Sequence, residues 1–186
     1  NFCLWQWCGE RPVTLGRNQY GKPFLKGNPV QFSLSHAGDW VACGLADCPL
    51  GVDIEKVQPV ERGMYGLCLT PQEQQQLEQA PTPPERRFIQ LWTLKESFGK
   101  LRGDGLNCGF QRFQVEPLEG NVGRSIIRHV QTGQPCANGF TQPVGEDYCL
   151  STCVPPERAL RSVVTVPVTL ADMEPWMAQP KPVRWL

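Results

Sequence analysis

The sequence predicts an α+β fold, and three observations lead there. Short runs of alternating polar and apolar residues fill the first third of the chain, two helical patterns follow between Thr70 and Lys100, and strand-like runs separated by Gly and Pro return after Phe110. Forty per cent of the 186 residues are apolar, enough for one sizeable core or two small ones sharing an interface.

Residues 1–29 carry scattered Gly and Pro around Tyr20-Gly21-Lys22-Pro23, which reads as one or two short strands and a turn. Val30 to Leu34 alternates apolar with polar as a half-buried strand does, and Trp40 to Ala46 is a second such strand. The polar link Ser35-His36-Ala37-Gly38-Asp39 is short enough for a hairpin whose tip can hold an anion. Leu50 to Glu55 is a third strand. Thr70-Pro71-Gln72-Glu73 supplies the N-cap, the proline at the first helical position and the glutamate that start a helix, which runs to about Gln79. A second helix runs from Pro84 to about Lys100 and is stopped by Gly103 and Gly105. Strands are then expected around Phe113–Val115, Ile126–Ile127, Tyr148–Leu150 and Val163–Val166, with a Pro- and Trp-rich tail over 171–186 draped on the body.

Eighteen basic residues balance eighteen acidic ones, so the chain has no global field of the kind that sequence-independent nucleic-acid binding requires. No apolar run reaches the ~18 residues of a membrane span, and the N-terminus lacks the order of a secretory signal. The expectation is a soluble, cytoplasmic protein with no nucleic-acid or membrane partner. Nine cysteines, odd in number and without a CxxC pair, read as free thiols, with Cys149 and Cys153 packed on one strand face. Only His36 and His129 are available to a zinc site. The chain starts at Asn1 and not at Met, which leaves open a segment upstream.

Asp53 and Glu55 stand two apart on a strand, so both carboxylates face one way with Cα atoms about 7 Å apart. Alone, that spacing reads better as a solvated strand edge. The second helix alters the balance. At about 100° per residue its apolar arc passes through Leu101, Leu94, Phe98, Leu91, Phe88, Trp92 and Ile89 over roughly 240°. Lys95 falls in the middle of that arc and Glu96 on its flank, while Arg86, Gln90, Thr93 and Ser97 form the polar side. Charges on a buried arc are costly unless each meets a partner. A surface pair between Glu96 and Lys100 would explain those two residues but not Lys95. If Glu96 meets Asp53 and Glu55, three hard oxygen donors match Mg²⁺, and Lys95 and Lys100 beside them bind phosphate as point charges.

Leu50-Gly51-Val52-Asp53-Ile54-Glu55 followed by Leu91-Trp92-Thr93-Leu94-Lys95-Glu96-Ser97-Phe98-Gly99-Lys100 resembles the paired signature of the 4′-phosphopantetheinyl transferases, in particular the larger, pseudo-dimeric, surfactin-synthetase-activating type. Gly21-Lys22-Pro23 and Phe32-Ser33-Leu34-Ser35-His36 resemble that family's two upstream motifs in the right order, so the match covers roughly residues 20–106. The resemblance implies two similar lobes about a pseudo-twofold axis: 1–48, incomplete at its start, 49–170 with the metal site, and the tail 171–186. It implies a monomer that moves the phosphopantetheine arm of coenzyme A to a serine of an acyl or peptidyl carrier protein and releases 3′,5′-ADP. Asp53, Glu55 and Glu96 would hold Mg²⁺, and Gly21, Lys22 and Pro23 would line the adenine end. Ser35 and His36 would meet the 3′-phosphate, and Lys95 and Lys100 the phosphate chain. Glu96 or a metal-bound water would take the serine proton, with Glu73 as an outside candidate. The rival readings are a truncated or non-catalytic paralogue that binds carrier protein or coenzyme A without transfer, and a metal-dependent nuclease, against which the neutral net charge counts.

Overall fold

The computed structural model describes residues 3, 13–79, 81–117, 123–160, 163–178 and 183–185. Strands β1 (Val13–Arg17) and β2 (Pro23–Leu25) pair antiparallel, with Leu15 opposite Leu25. The Asn18 carboxamide oxygen accepts the Tyr20 and Lys22 amides, each at 2.9 Å, and so fixes the turn between them. Strands β3 (Gln31–Ala37) and β4 (Trp40–Ala46) form the expected hairpin. Its turn is only Gly38-Asp39, and Gly38 takes a left-handed φ of 53°. Ser35 and His36 therefore lie in the strand and not, as the sequence reading has it, on the link.

Strand β5 (Gly51–Lys56) is followed by α1 (Arg62–Cys68), α2 (Pro71–Gln79) and the long helix α3 (Pro84–Arg102). The capping box is present: the Thr70 amide donates to Glu73 Oε2 at 2.8 Å, and the Glu73 amide to Thr70 Oγ at 3.2 Å. Gly103, at φ 81°, closes α3 in the left-handed conformation and donates its N–H to Gly99 O. Two short 3₁₀ turns, Gly105–Cys108 and Phe110–Arg112, lead into β6 (Phe113–Pro117), β7 (Arg124–His129), β8 (Pro135–Val144) and β9 (Tyr148–Val154). Helix α4 (Leu170–Met177) precedes β10 (Val183–Trp185), which runs parallel to β1.

The strands make three sheets: β10-β1-β2, the β3-β4 hairpin, and β5-β9-β8-β7-β6. Helices α1 and α4 and strands β8 and β10 escaped the sequence reading. Helix α1 carries Gly63 and Gly66, poor helix formers, and the central strand β8 begins and nearly ends on proline. Conversely, Val163–Val166, expected as a strand, is irregular and pairs with none of the described strands, and Val164 and Val166 are mostly exposed. None of the described helices is long and apolar enough to cross a membrane.

The main core joins Leu69, Leu77, Phe88, Leu91, Phe98 and Phe113 between the helices and the five-stranded sheet. The side of α3 read as polar is a packing face. Thr93 and Ser97 are fully buried; Thr93 Oγ lies 2.7 Å from Ser151 Oγ, and Ser97 Oγ donates to Leu94 O at 2.8 Å. Their small hydroxyl side chains satisfy themselves locally and let the helix come close to the sheet. At Gly51 the approach is extreme: a Cβ there would sit 1.8 Å from Ser97 O and 2.4 Å from Leu101 N. That glycine sets the strand bearing Asp53 and Glu55 directly against the helix bearing Glu96 and Lys100.

Candidate active site

Period-two alternation turns Ser33 and Ser35 of β3 toward β5, where Ser33 Oγ accepts the Val52 amide at 3.0 Å. Two residues on, Ser35 Oγ donates to Asp53 Oδ1 at 2.7 Å. From α3, Lys100 Nζ reaches the same carboxylate oxygen at 2.7 Å and Ser35 Oγ at 2.8 Å. Three elements thus converge on one atom of Asp53. The Ser35 hydroxyl that the sequence assigned to a phosphate has spent its proton on this carboxylate, which makes it the residue that orients Asp53.

Asp53 Oδ2 is buried and, among the described residues, has no hydrogen-bond partner. Glu55 Oε1 accepts a hydrogen bond from the Trp92 indole N–H at 3.4 Å. Trp92, read from sequence as plain core, stands four residues before Glu96 on the same helical flank, and that spacing was the available signal for its part in the site. Burial raises the carboxyl of Asp53 most, partly offset by Lys100. Burial and the charge of Asp53 raise Glu55. Glu96 goes furthest, to about 7, through burial, then Asp53, with Lys100 opposing. These are three acids whose negative charges repel and whose shared relief would be a cation.

Among the described residues, no three acidic, histidine or cysteine side chains are gathered closely enough to hold a metal as they stand. The Lys100 ammonium occupies one oxygen of Asp53 and Glu55 leans to Trp92. The donor chemistry nevertheless fits a hard divalent ion: all oxygen, one buried oxygen atom left unpaired, and an excess of mutually repelling carboxylates.

Lys95 is elsewhere. Its side chain is fully buried, 2.5 Å from Glu73 Oε2, and its ammonium also donates to the carbonyls of Cys68, Phe110 and Phe113 at 2.9 to 3.1 Å. The sequence correctly demanded a partner for a charge on the apolar arc. The partner is a carboxylate of the core, and the expected phosphate contact is corrected, because every donor proton is committed inside the protein. Glu73 is corrected with it. Both its oxygens are engaged, one by Lys95 and the Thr70 amide, the other by the Val115 amide at 2.8 Å, so it cannot reach a substrate as a base.

Lys22 is likewise committed. Its ammonium donates to Leu50 O at 3.2 Å, Lys100 O at 2.6 Å and Leu101 O at 3.3 Å, which ties the β1-β2 turn to the C-terminal end of α3, where the helix dipole favours a cation. Burial pushes Lys22 below the ordinary lysine value. Gly21, at φ 86°, and Pro23 flank it in the turn, half-buried. His36 lies on the exposed face of β3, near enough for its charge to reach Glu55. The eight described cysteines are free, and Cys149 and Cys153 are buried against α3 as expected.

Residues 49–153 match the family model of the 4′-phosphopantetheinyl transferase superfamily. A 4′-phosphopantetheinyl transferase of Bacillus subtilis is 33% identical over 144 residues, covering 76% of this chain and 62% of the relative. The psf-1 transferase of Bacillus pumilus is 35% identical over 118 residues, 62% of this chain and 50% of its own. The chain therefore spans between half and two thirds of these relatives. The solved holo-[acyl-carrier-protein] synthase of Neisseria meningitidis aligns with 59% of this chain and 98% of its own at 19% identity and a TM-score of 0.48. With more than half of its length matched by the family model, strand carboxylates and long helix included, the chain belongs to the 4′-phosphopantetheinyl transferase superfamily.

Proposed function

We propose that the chain transfers the 4′-phosphopantetheine group of coenzyme A to a serine of an acyl or peptidyl carrier protein, with Mg²⁺ held by Asp53, Glu55 and Glu96, and releases 3′,5′-ADP. The observation that carries this reading is the junction at Asp53. One of its oxygens is paired to Lys100, while the other is buried with no partner among the described residues, next to two further acids of raised pKa. When bound, the metal supplies charge neutralisation at the pyrophosphate and at the leaving oxygen.

The protein's own groups do the rest. Ser35 holds Asp53 in its rotamer, and Trp92 steadies Glu55. Lys100, a quarter exposed, is free to swing from Asp53 onto a phosphate oxygen once the carboxylate has another counter-ion. Glu96 is the carboxylate assigned to accept the proton of the attacking serine. The turn Gly21-Lys22-Pro23 stands beside the adenine end and the exposed His36 beside the 3′-phosphate, while Ser35 acts through Asp53 alone. The β-phosphorus gains the serine oxygen and loses the oxygen of 3′,5′-ADP.

The test is incubation of the purified chain with apo carrier proteins, coenzyme A and Mg²⁺, followed by mass spectrometry of the carrier. Addition of the phosphopantetheine mass, abolished by Asp53→Asn, supports the reading. Coenzyme A binding without transfer to any carrier would instead favour the non-catalytic paralogue.

A further inference from the structure

On the flank of α3 away from Glu96, a cavity of about 580 Å³ opens between the first half of the helix and strands β7, β8 and β9. Its lining includes Arg86, Arg87 and Gln90 from the helix, Arg124 and Ser125 from β7, and Thr141 from β8, and none of the described lining residues is a carboxylate. Arg86 and Arg87 of the helix thus share one concavity with Arg124 of β7.

The two helical arginines are poorly compensated. Among the described residues neither makes an ion pair. Arg86 donates to the Glu146 backbone carbonyl at 2.5 Å, and Arg87 has only a 3.4 Å contact with the Gln90 amide oxygen. Arg87 is half-buried, and burial pushes its guanidinium below the ordinary value. The charge of Glu73 offsets that push only in part, and a partly desolvated guanidinium with no ion pair among the described residues is an incomplete arrangement.

The cavity is separate from the carboxylate cluster. Thr93 faces Ser151 of the sheet. At 3.6 residues per turn, Gln90 and Arg87 lie about 60° and 120° to one side of it, and Glu96 and Trp92 about 60° and 100° to the other. Nine residues, or ~14 Å of helical rise, separate Arg87 from Glu96.

We infer that this cavity is a second ligand site, one that takes a small anion bearing phosphate groups. Guanidinium forks match phosphate oxygens bidentately, and the polar side chains of Ser125 and Gln90 line the same cavity. The volume is that of a small-molecule pocket, whereas an acidic protein segment would call for an open surface.

The probe is inorganic pyrophosphate, titrated calorimetrically into the whole chain in EDTA at constant ionic strength. Saturable binding is expected, weakened about tenfold or more by Arg87→Gln and by Arg86→Gln, as loss of a charge-assisted hydrogen bond requires. Lys100→Met, which alters the other cluster, should leave it within about twofold of the parent, since sites this far apart are independent. Circular dichroism melts of each variant show whether it is folded, and Arg86→Gln, at the more solvated position, serves if Arg87→Gln is not. Absence of saturable binding, binding indifferent to both arginine substitutions, or binding lost in Lys100→Met would overturn the inference. So would an acidic peptide that binds more tightly than pyrophosphate through the same arginines, since the ligand would then be a protein segment.

Discussion

Lys100 Nζ lies 2.7 Å from Asp53 Oδ1, across the seam where α3 meets β5, so the cation that neutralises the strand carboxylate comes from the helix. This pairing opposes the upward push that burial gives the Asp53 carboxyl, and the second oxygen has no partner among the described residues. It also makes Lys100 the group through which the arrival of a metal or a phosphate is felt.

Lys100→Met is expected to lower carrier-protein modification about 100-fold or more, the usual cost of removing one preorganised donor of charge stabilisation. Because the ammonium that competes for the Asp53 oxygen is gone, the variant should need less Mg²⁺ for half-maximal rate even as that rate falls. Both are read from initial rates across a Mg²⁺ titration. Near-parental turnover would sink the role given to Lys100.

Glu96 sets a pH dependence whose sign follows from burial. Its folded value, about 7, lies above the unfolded value of 4.5, so the folded state binds more protons than the unfolded one between them. The stability contributed by Glu96 is whole below pH 4.5 and is lost as pH rises through about 7. Asp53 and Glu55, also raised, act in the same direction. In EDTA the melting temperature should therefore fall over this range, and Glu96→Gln should flatten the slope. Mg²⁺ competes with the same proton, so its affinity should climb with pH and level off above about 7. Calorimetric titrations at several pH values test this, and a pH-independent affinity would contradict it.

Gly51→Ala puts a methyl group 1.8 Å from Ser97 O, a backbone atom that cannot move without dragging α3. Overpacking of this kind is expected to cost about 3 kcal/mol or more in urea unfolding. Any folded fraction should have lost transfer activity, since the helix must stand off from the strand that carries Asp53.

Lys95→Met strands the Glu73 carboxylate in the core and should destabilise the protein by about 3 to 5 kcal/mol. Lys95→Met with Glu73→Leu should recover part of that loss, because two apolar groups replace a buried ion pair. If the single variant instead unfolds like the parent and shows only a raised KM for coenzyme A, Lys95 belongs to the phosphate site after all.

Sequence alone determined the class of fold, most of the strands, the capped helix from Pro71 and the long helix from Pro84, since periodicity and caps are local properties. It also determined that Asp53 and Glu55 share a face and that a charge at position 95 had to be neutralised, because both follow from the geometry of one strand or one helix. Partners are a different matter. Whether Lys95 met a phosphate or Glu73, whether Ser35 offered its proton to a ligand or to Asp53, and whether Thr93 and Ser97 faced water or a sheet depended on contacts between residues 18 to 58 apart in the chain. Nothing local encodes such contacts. Tertiary structure decided them by bringing β5 against α3 at Gly51, a distance of approach that only the absence of a side chain permits.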